Sequence, residues 1–203
     1  MDYDRLVRVR PPQQFYEIIM LVHEPQFQYF SPFLDERYYS NLEKYVYSYE
    51  LDWHWLSHTV SSAHEDFDKD SFVLGNLVYH KGNEKDLSQV DDIWQDLIKS
   101  IESQFICDIH RIRLNLYTNQ NKKIFTVPHY DMGERGETVP DRRPNIIIMN
   151  FTTCNGGTKI GQLEVASVKN SAVFFSNVHK HCGIVHTDVE RRICANIVIY
   201  PKE

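Results

Sequence analysis

Two short stretches of this chain carry side chains that could do chemistry together. They are His129-Tyr130-Asp131 and His181-Cys182-Gly183, the second followed by Arg191-Arg192. Two histidines and one carboxylate are the ligand set of a non-haem Fe(II) site, a facial triad that leaves positions open for small ligands and O₂. In a strand, residues two apart project to the same face, so His129 and Asp131 can reach one metal while Tyr130 points away. Pro128, immediately before them, fixes the approach of the backbone. The third ligand must come from elsewhere, and His179, His181 and His186 are the downstream candidates. His181 ends the apolar strand run in FFSNVHKHCG, just before a glycine, but it shares strand parity with His179, so parity alone does not choose. An Arg about ten residues further on can hold the far carboxylate of a bound oxo-acid, because a guanidinium stays charged and grips a carboxylate through two hydrogen bonds. Of Arg191 and Arg192, one should point inward and the other outward.

Two duller readings compete with an iron site. His129 and Asp131 could be a hydrogen-bonded surface pair, since an isolated HxD is common. Alternatively, Cys182, Cys194 and histidines could hold structural zinc, which takes such ligands. The cysteines lack finger-like spacing, however, and a neighbouring His-Cys pair is a poor chelate.

These residues need a scaffold, and the chain is long enough to supply one. Its 203 residues suffice for one domain with a real core. No stretch approaches the ~20 apolar residues of a membrane span, and the start, MDYDRLVRVRPPQQ, lacks the apolar centre of a signal peptide. The cysteines at 107, 154, 182 and 194 have no CxxC spacing and read as free thiols of a reducing compartment. Cytoplasmic location is expected, the host cytoplasm if the chain is phage-encoded. The formal net charge of −6 weighs against a dedicated nucleic-acid binder, whose affinity rests on Lys and Arg neutralising phosphates.

The texture changes near residue 110. Before it, residues 1–110 read as an α/β lead-in with supporting helices. Leu34, Tyr38, Leu42, Tyr45 and Tyr49 recur at helical spacing. FVLGNLVYH (72–80) reads as a strand with Gly75 as its bulge. Ser88 through Gln104 reads as a helix capped by Ser88 or Asp91, with Ile93, Leu97, Ile98, Ile101 and Phe105 on one face. After it, HRIRLNLY alternates polar and apolar residues, and NIIIMNF, SAVFFSN and RICANIVIY are further short apolar runs. Turn material at NGG (155–157) and KN (169–170) separates them. Short strands with turns between them predict an antiparallel sandwich or jelly roll over 111–203.

Six stretches together carry a family resemblance: RIRLNLYTN (111–119), PHYDM (128–132), NIIIMNF (145–151), NGGT (155–158), VFFSNVHKHCGIVHTD (173–188) and RRICANIVIY (191–200). With them the chain resembles the Fe(II)- and 2-oxoglutarate-dependent dioxygenases, in particular their prolyl-4-hydroxylase-like branch of phage and bacterial type. The resemblance implies a mainly β fold with flanking helices, the double-stranded β-helix (a jelly roll, cupin-like), with one such domain over 1–203. It implies iron held by His129, Asp131 and His181, since His181 falls on the H-x-G position. Arg192, with Asn196 four residues on, falls on the position that holds the 2-oxoglutarate carboxylate. Asn115 and Tyr117 fall on an N-x-Y pair that hydrogen-bonds the oxo-acid. The cofactors implied are Fe(II), 2-oxoglutarate as cosubstrate and O₂, with ascorbate as a reductant. The chain departs from the pattern where several prolyl hydroxylases place a second Tyr. It has Ile147, Ile148 and Met149 there, which implies a drier carboxylate pocket with Arg192 as its more isolated polar partner.

The reaction so implied hydroxylates a C–H bond and releases succinate and CO₂. The substrate expected is a prolyl or other side chain of a peptide or protein. The alternatives are a free amino acid or other small molecule, or a non-catalytic metal-binding module on the same scaffold. The nucleic-acid demethylase branch carries a second Arg six residues after the first, where this chain has Val198. The segment MGERGETVPDRRPN (132–145) follows the ligands directly and reads either as a lid, with Arg135, Arg142 and Arg143 turned to an acidic substrate, or as a solvated loop.

Overall fold

The structure, a computed structural model, describes residues 27–56, 72–82, 90–131 and 143–202. Two antiparallel sheets face each other, and two helices cover the outer face of the larger one. The elements in chain order are β1 (Phe27–Phe30), α1 (Glu36–Val46), β2 (His54–Leu56), β3 (Val73–His80), α2 (Asp92–Phe105), β4 (Cys107–Thr118), β5 (Asn145–Asn150), β6 (Cys154–Ile160), β7 (Leu163–Ser167), β8 (Ser171–Ser176), β9 (His181–Ile184) and β10 (Arg191–Pro201). The large sheet runs β1-β8-β5-β10-β4-β3-β2, and the small one β7-β6-β9.

Strand alternation sorts the side chains of the large sheet between two cores. On β10, Ile193, Ala195, Ile197 and Ile199 pack toward the helices with Leu42, Trp94 and Leu97, while Cys194 and Val198 turn into the space between the sheets. β5 does the same, with Ile147 and Met149 on the helical side and Ile146 and Ile148 on the other. A strand buried on both faces reads as an unbroken apolar run, which accounts for NIIIM and for RICANIVIY.

Each helix starts where its sequence allows, but the buried stripe of α1 is rotated from the expected one. Asp35 caps α1 by accepting from the amides of Arg37 and Tyr38. The residues fully buried are Tyr39, Leu42 and Val46, and Tyr49 lies beyond the helix in solvent. Tyr38 and Tyr45 flank the stripe instead, because their hydroxyls seek partners: they donate to the Ile93 carbonyl and to Asp91. Asp91 is the residue before α2, yet its carboxylate serves Tyr45 and does not cap the helix. Ser88 lies outside the described residues.

Three further expectations differ from the structure. The bulge of β3 falls between Leu77 and Tyr79, and Gly75 is regular strand packed against Leu56. Asn155-Gly156-Gly157 is strand, not turn: a Cβ on Gly156 would lie 2.6 Å from the Ile184 carbonyl oxygen, and one on Gly157 2.1 Å from that of Val165. These glycines mark close backbone approach, a role that composition does not separate from a turn. His181 opens β9 of the small sheet and does not end the apolar strand β8, because the chain leaves the large sheet after Ser176. No helix among the described residues is long and apolar enough to cross a membrane.

Candidate metal centre

His129 and His181 are brought together by their own backbones. Each donates its amide to the other's carbonyl, at 2.9 and 3.0 Å, in a single antiparallel bridge. The segment is not the regular strand that the HxD spacing suggests; residues 124–129 run along β9 by separate contacts, including Val185 to the Ile124 carbonyl and Thr126 to the Gly183 carbonyl. A mutually bonded pair puts the two side chains on one face, and the imidazole centroids lie 4.6 Å apart. Asp131 is past the bridge, and Asn177 replaces the missing strand neighbour. Its amide oxygen accepts from the Asp131 N–H, and its NH₂ donates to the Asp131 carbonyl.

One ligand atom from each of His129, Asp131 and His181 lies within 4.8 Å of the others. Among the described residues this is the one cluster of metal-ligating groups, and neither His179 nor His186 belongs to it. His179 packs at a tilt against the Phe27 ring, and His186 is fully buried further along the chain. His129 Nδ1 is 2.9 Å from the Val127 carbonyl, so it carries the proton and leaves Nε2 to bind metal. His181 Nε2 lies 3.3 Å from Asp131 Oδ2. Arg111 donates to Asp131 Oδ1 at 2.9 Å, and Asn196 donates to Oδ2 at 2.7 Å.

The protonation states suit a cation. Burial alone would raise the Asp131 carboxyl, but His181, Arg111 and His129 outweigh it and hold it well below the usual carboxylate range. Burial, then the neighbouring His181, pushes His129 below its ordinary value. Metal binding requires deprotonated ligands, so both shifts favour it.

Beyond the triad, Arg192 projects between the sheets at 1% exposure. Its Nη2 makes only long contacts, 3.4 Å to Asn150 Oδ1 and 3.5 Å to Thr158 Oγ1, while Nε and Nη1 are buried with no partner. The guanidinium carbon sits 5.2 Å from the Tyr117 ring centre. Tyr117 stands directly across from Arg192 in the sheet, and burial, then Cys194, pushes its phenol up to about 12, so it stays neutral. Gly183 makes room for that phenol: a Cβ there would lie 3.0 Å from the Tyr117 oxygen. Asn115 is buried on the same face with its side-chain oxygen unpartnered. Arg191 points the other way, over the Tyr47 ring in solvent. A buried guanidinium with two idle nitrogens is costly unless an anion completes it. A carboxylate matches such a guanidinium in charge, and Nη2 with either idle nitrogen offers the fork that would receive it.

Sequence reasoning did not single out Arg111, Asn177, Asn150 or Thr158. Arg111 was within reach of it, since it shares strand parity with Asn115 and Tyr117. The other three are polar residues in strands and turns, with nothing local to mark them. The 132–145 loop has residues 132–142 outside the described ones.

No family model matches the sequence, and no curated protein matches it. Solved structures do. One is the viral collagen prolyl hydroxylase vCPH of Paramecium bursaria Chlorella virus-1, in complex with 2-oxoglutarate: TM-score 0.56, 12% identity, covering 89% of this chain and 98% of that one. Another is an oxidoreductase of the 2OG-Fe(II) oxygenase family from Burkholderia pseudomallei, at TM-score 0.61 and 12% identity over 87% and 86% of the two chains. A third is SnoN, a non-haem α-ketoglutarate-dependent epimerase of nogalamycin biosynthesis, at TM-score 0.59 and 11% identity over 87% and 78%. The fold of this chain is therefore the double-stranded β-helix of the Fe(II)/2-oxoglutarate oxygenases, mainly β with flanking helices as expected.

Proposed function

We propose that this protein is an Fe(II)- and 2-oxoglutarate-dependent oxygenase that hydroxylates a C–H bond, with a prolyl or other side chain of a peptide as the substrate. The observation that carries the reading is Arg192. A buried cation with two unpartnered nitrogens faces the same interior as a His-Asp-His cluster, which is the arrangement a metal-chelated oxo-acid needs at its far end. His129, Asp131 and His181 would hold the iron, and the metal with its cosubstrate would supply the O₂ chemistry that protein side chains lack.

The chain's own residues bind and orient. Arg111 and Asn196 fix the Asp131 carboxylate and leave the histidines to complete the ligand set. Arg192 takes the cosubstrate carboxylate, with Tyr117 and Asn115 as neutral hydrogen-bonding neighbours. The apolar wall of Ile146, Ile148 and Val173 keeps water from this end of the site. The four buried, unbridged cysteines fit a reducing cytoplasm. The substrate preference rests on the prolyl-hydroxylase-like motif spacing and on the likeness to a viral collagen prolyl hydroxylase.

The test is a paired assay with Fe(II) and 2-oxoglutarate at one ionic strength, read by mass spectrometry. Proline-containing peptides are offered on one side and methylated single-stranded nucleic acid on the other. Gain of one oxygen on a peptide with matching succinate is the expected result. Demethylation of the strand with no peptide product overturns the substrate, and absence of any 2-oxoglutarate-dependent succinate overturns the activity.

A further inference from the structure

The proposed chemistry leaves one charged residue of the interior face unused. Arg113 lies on β4 two residues from Arg111 and two from Asn115, so it shares their face. It stands across the β4–β10 pair from Asn196, the amide that donates to Asp131. Its guanidinium is half-buried beside Gly75, where a Cβ would come within 3.5 Å of Nε. That Nε is enclosed with no hydrogen-bond partner, and no described residue forms an ion pair with Arg113. The carboxylate whose field reaches it is Asp131, already engaged by Arg111 and Asn196. The guanidinium keeps its proton at any ordinary pH. A guanidinium beside the site, with its Nε enclosed and no ion pair of its own, can receive an incoming anion.

That ligand is not the 2-oxoglutarate carboxylate already assigned to Arg192. Arg192 faces Tyr117 and Arg113 faces Asn196, four residues along β10, which is about 13 Å at the rise of a strand. Arg192 is assigned to the cosubstrate, and Arg113 springs from the strand position that faces Asn196, one of the residues that hold Asp131.

We propose that Arg113 receives a carboxylate of the substrate itself, so that the molecule hydroxylated is a carboxylic acid, either free or presented by a peptide as an acidic side chain or C-terminus. The proposal rests on the oxygenase reading above. A single guanidinium, with the charge of Arg111 already balanced by Asp131, matches a monoanion; doubly charged phosphate gathers clusters of cations.

The experiment uses the full chain saturated with Zn(II), a diamagnetic stand-in, and 2-oxoglutarate. The arginine Nε–H signals are followed by NMR, with that of Arg113 assigned from its loss in Arg113→Lys. N-acetylproline and acetyl-Pro-Asp amide are titrated against N-acetylproline amide and acetyl-Pro-Asn amide, with methyl phosphate as a further arm. The Arg113 signal should shift saturably with the acids and not with their amides. The free acid and the peptide acid distinguish the two sources of carboxylate. Arg113→Gln should weaken binding of the acids, followed on backbone amides, by about tenfold or more, and Arg113→Lys should keep part of it. No saturable shift with any carboxylate at tens of millimolar, equal response to the amides, or response to methyl phosphate alone overturns the proposal. The Arg192 signal tests the other reading separately: if 2-oxoglutarate fails to move it, the cosubstrate assignment falls, while the acid titration still decides Arg113.

Discussion

Replacing Arg192 should separate cosubstrate binding from metal binding and should do so by a calculable amount. In the structure this side chain is 1% exposed, and Nε and Nη1 have no partner. A carboxylate bridging Nη2, whose own contacts are long, and either Nε or Nη1 would accept two charge-assisted hydrogen bonds, each contributing about 1.5–3 kcal/mol. Some of that is offset by releasing the guanidinium from Tyr117, a cation–π contact of about 1–2 kcal/mol. A net loss of roughly 3–4 kcal/mol, at about 1.4 kcal/mol per decade, predicts that Arg192→Met weakens 2-oxoglutarate by several hundred-fold. Isothermal titration of Mn(II)-loaded protein measures this directly, with Mn(II) affinity as the internal control. The same variant carries a second signature. Without ligand it removes a buried, uncompensated cation and replaces it with an apolar chain of similar length, so the metal-free, ligand-free protein should be at least as stable as the parent. Arg191→Met should change 2-oxoglutarate affinity little, because that side chain lies over Tyr47 in solvent. A 2-oxoglutarate affinity within threefold of the parent, or equal effects at positions 191 and 192, would refute the reasoning.

Other outcomes follow from the same geometry. Asp131→Ala, His129→Ala and His181→Ala should each abolish tight Mn(II) binding by electron paramagnetic resonance, while His179→Ala and His186→Ala retain it. Loss in His179→Ala with retention in His181→Ala would reassign the third ligand. Gly157→Ala forces a Cβ to 2.1 Å from the Val165 carbonyl; overpacking of this kind costs about 1–3 kcal/mol or more, so Tm should fall clearly, and an unchanged Tm would show that β6 and β7 do not pack so closely. Burial first, then the charges of His80, Arg111 and Lys81, holds His110 below its ordinary 6.5. The unfolded chain then binds more protons just below that value, so stability declines as pH falls from 6.5 through the folded pKa. His110→Gln should flatten that part of a urea-denaturation pH series, and an unaltered slope would count against the burial of its ring.

What the sequence by itself determined is the part that local periodicity and residue chemistry can carry. The apolar runs NIIIM and RICANIVIY specify strands, and their alternation separates Arg192 from Arg191 because a strand cannot turn both to one face. HxD and a later His state the ligand types. What tertiary structure alone decided is which partners meet. Arg111 reaches Asn196 from 85 residues away, and Asn177 clamps Asp131 from a distance of 46. His129 and His181 share a face through a two-way backbone bridge and not through a regular strand. Parity also left open which side of β4 was the interior. Sheet pairing answered it by setting Tyr117 across from Arg192 and Arg113 across from Asn196. Such choices depend on register between strands far apart in sequence, and a one-residue slip would exchange the faces. The free energy that sets the register is burial of both cores at once, and no short window of sequence contains that.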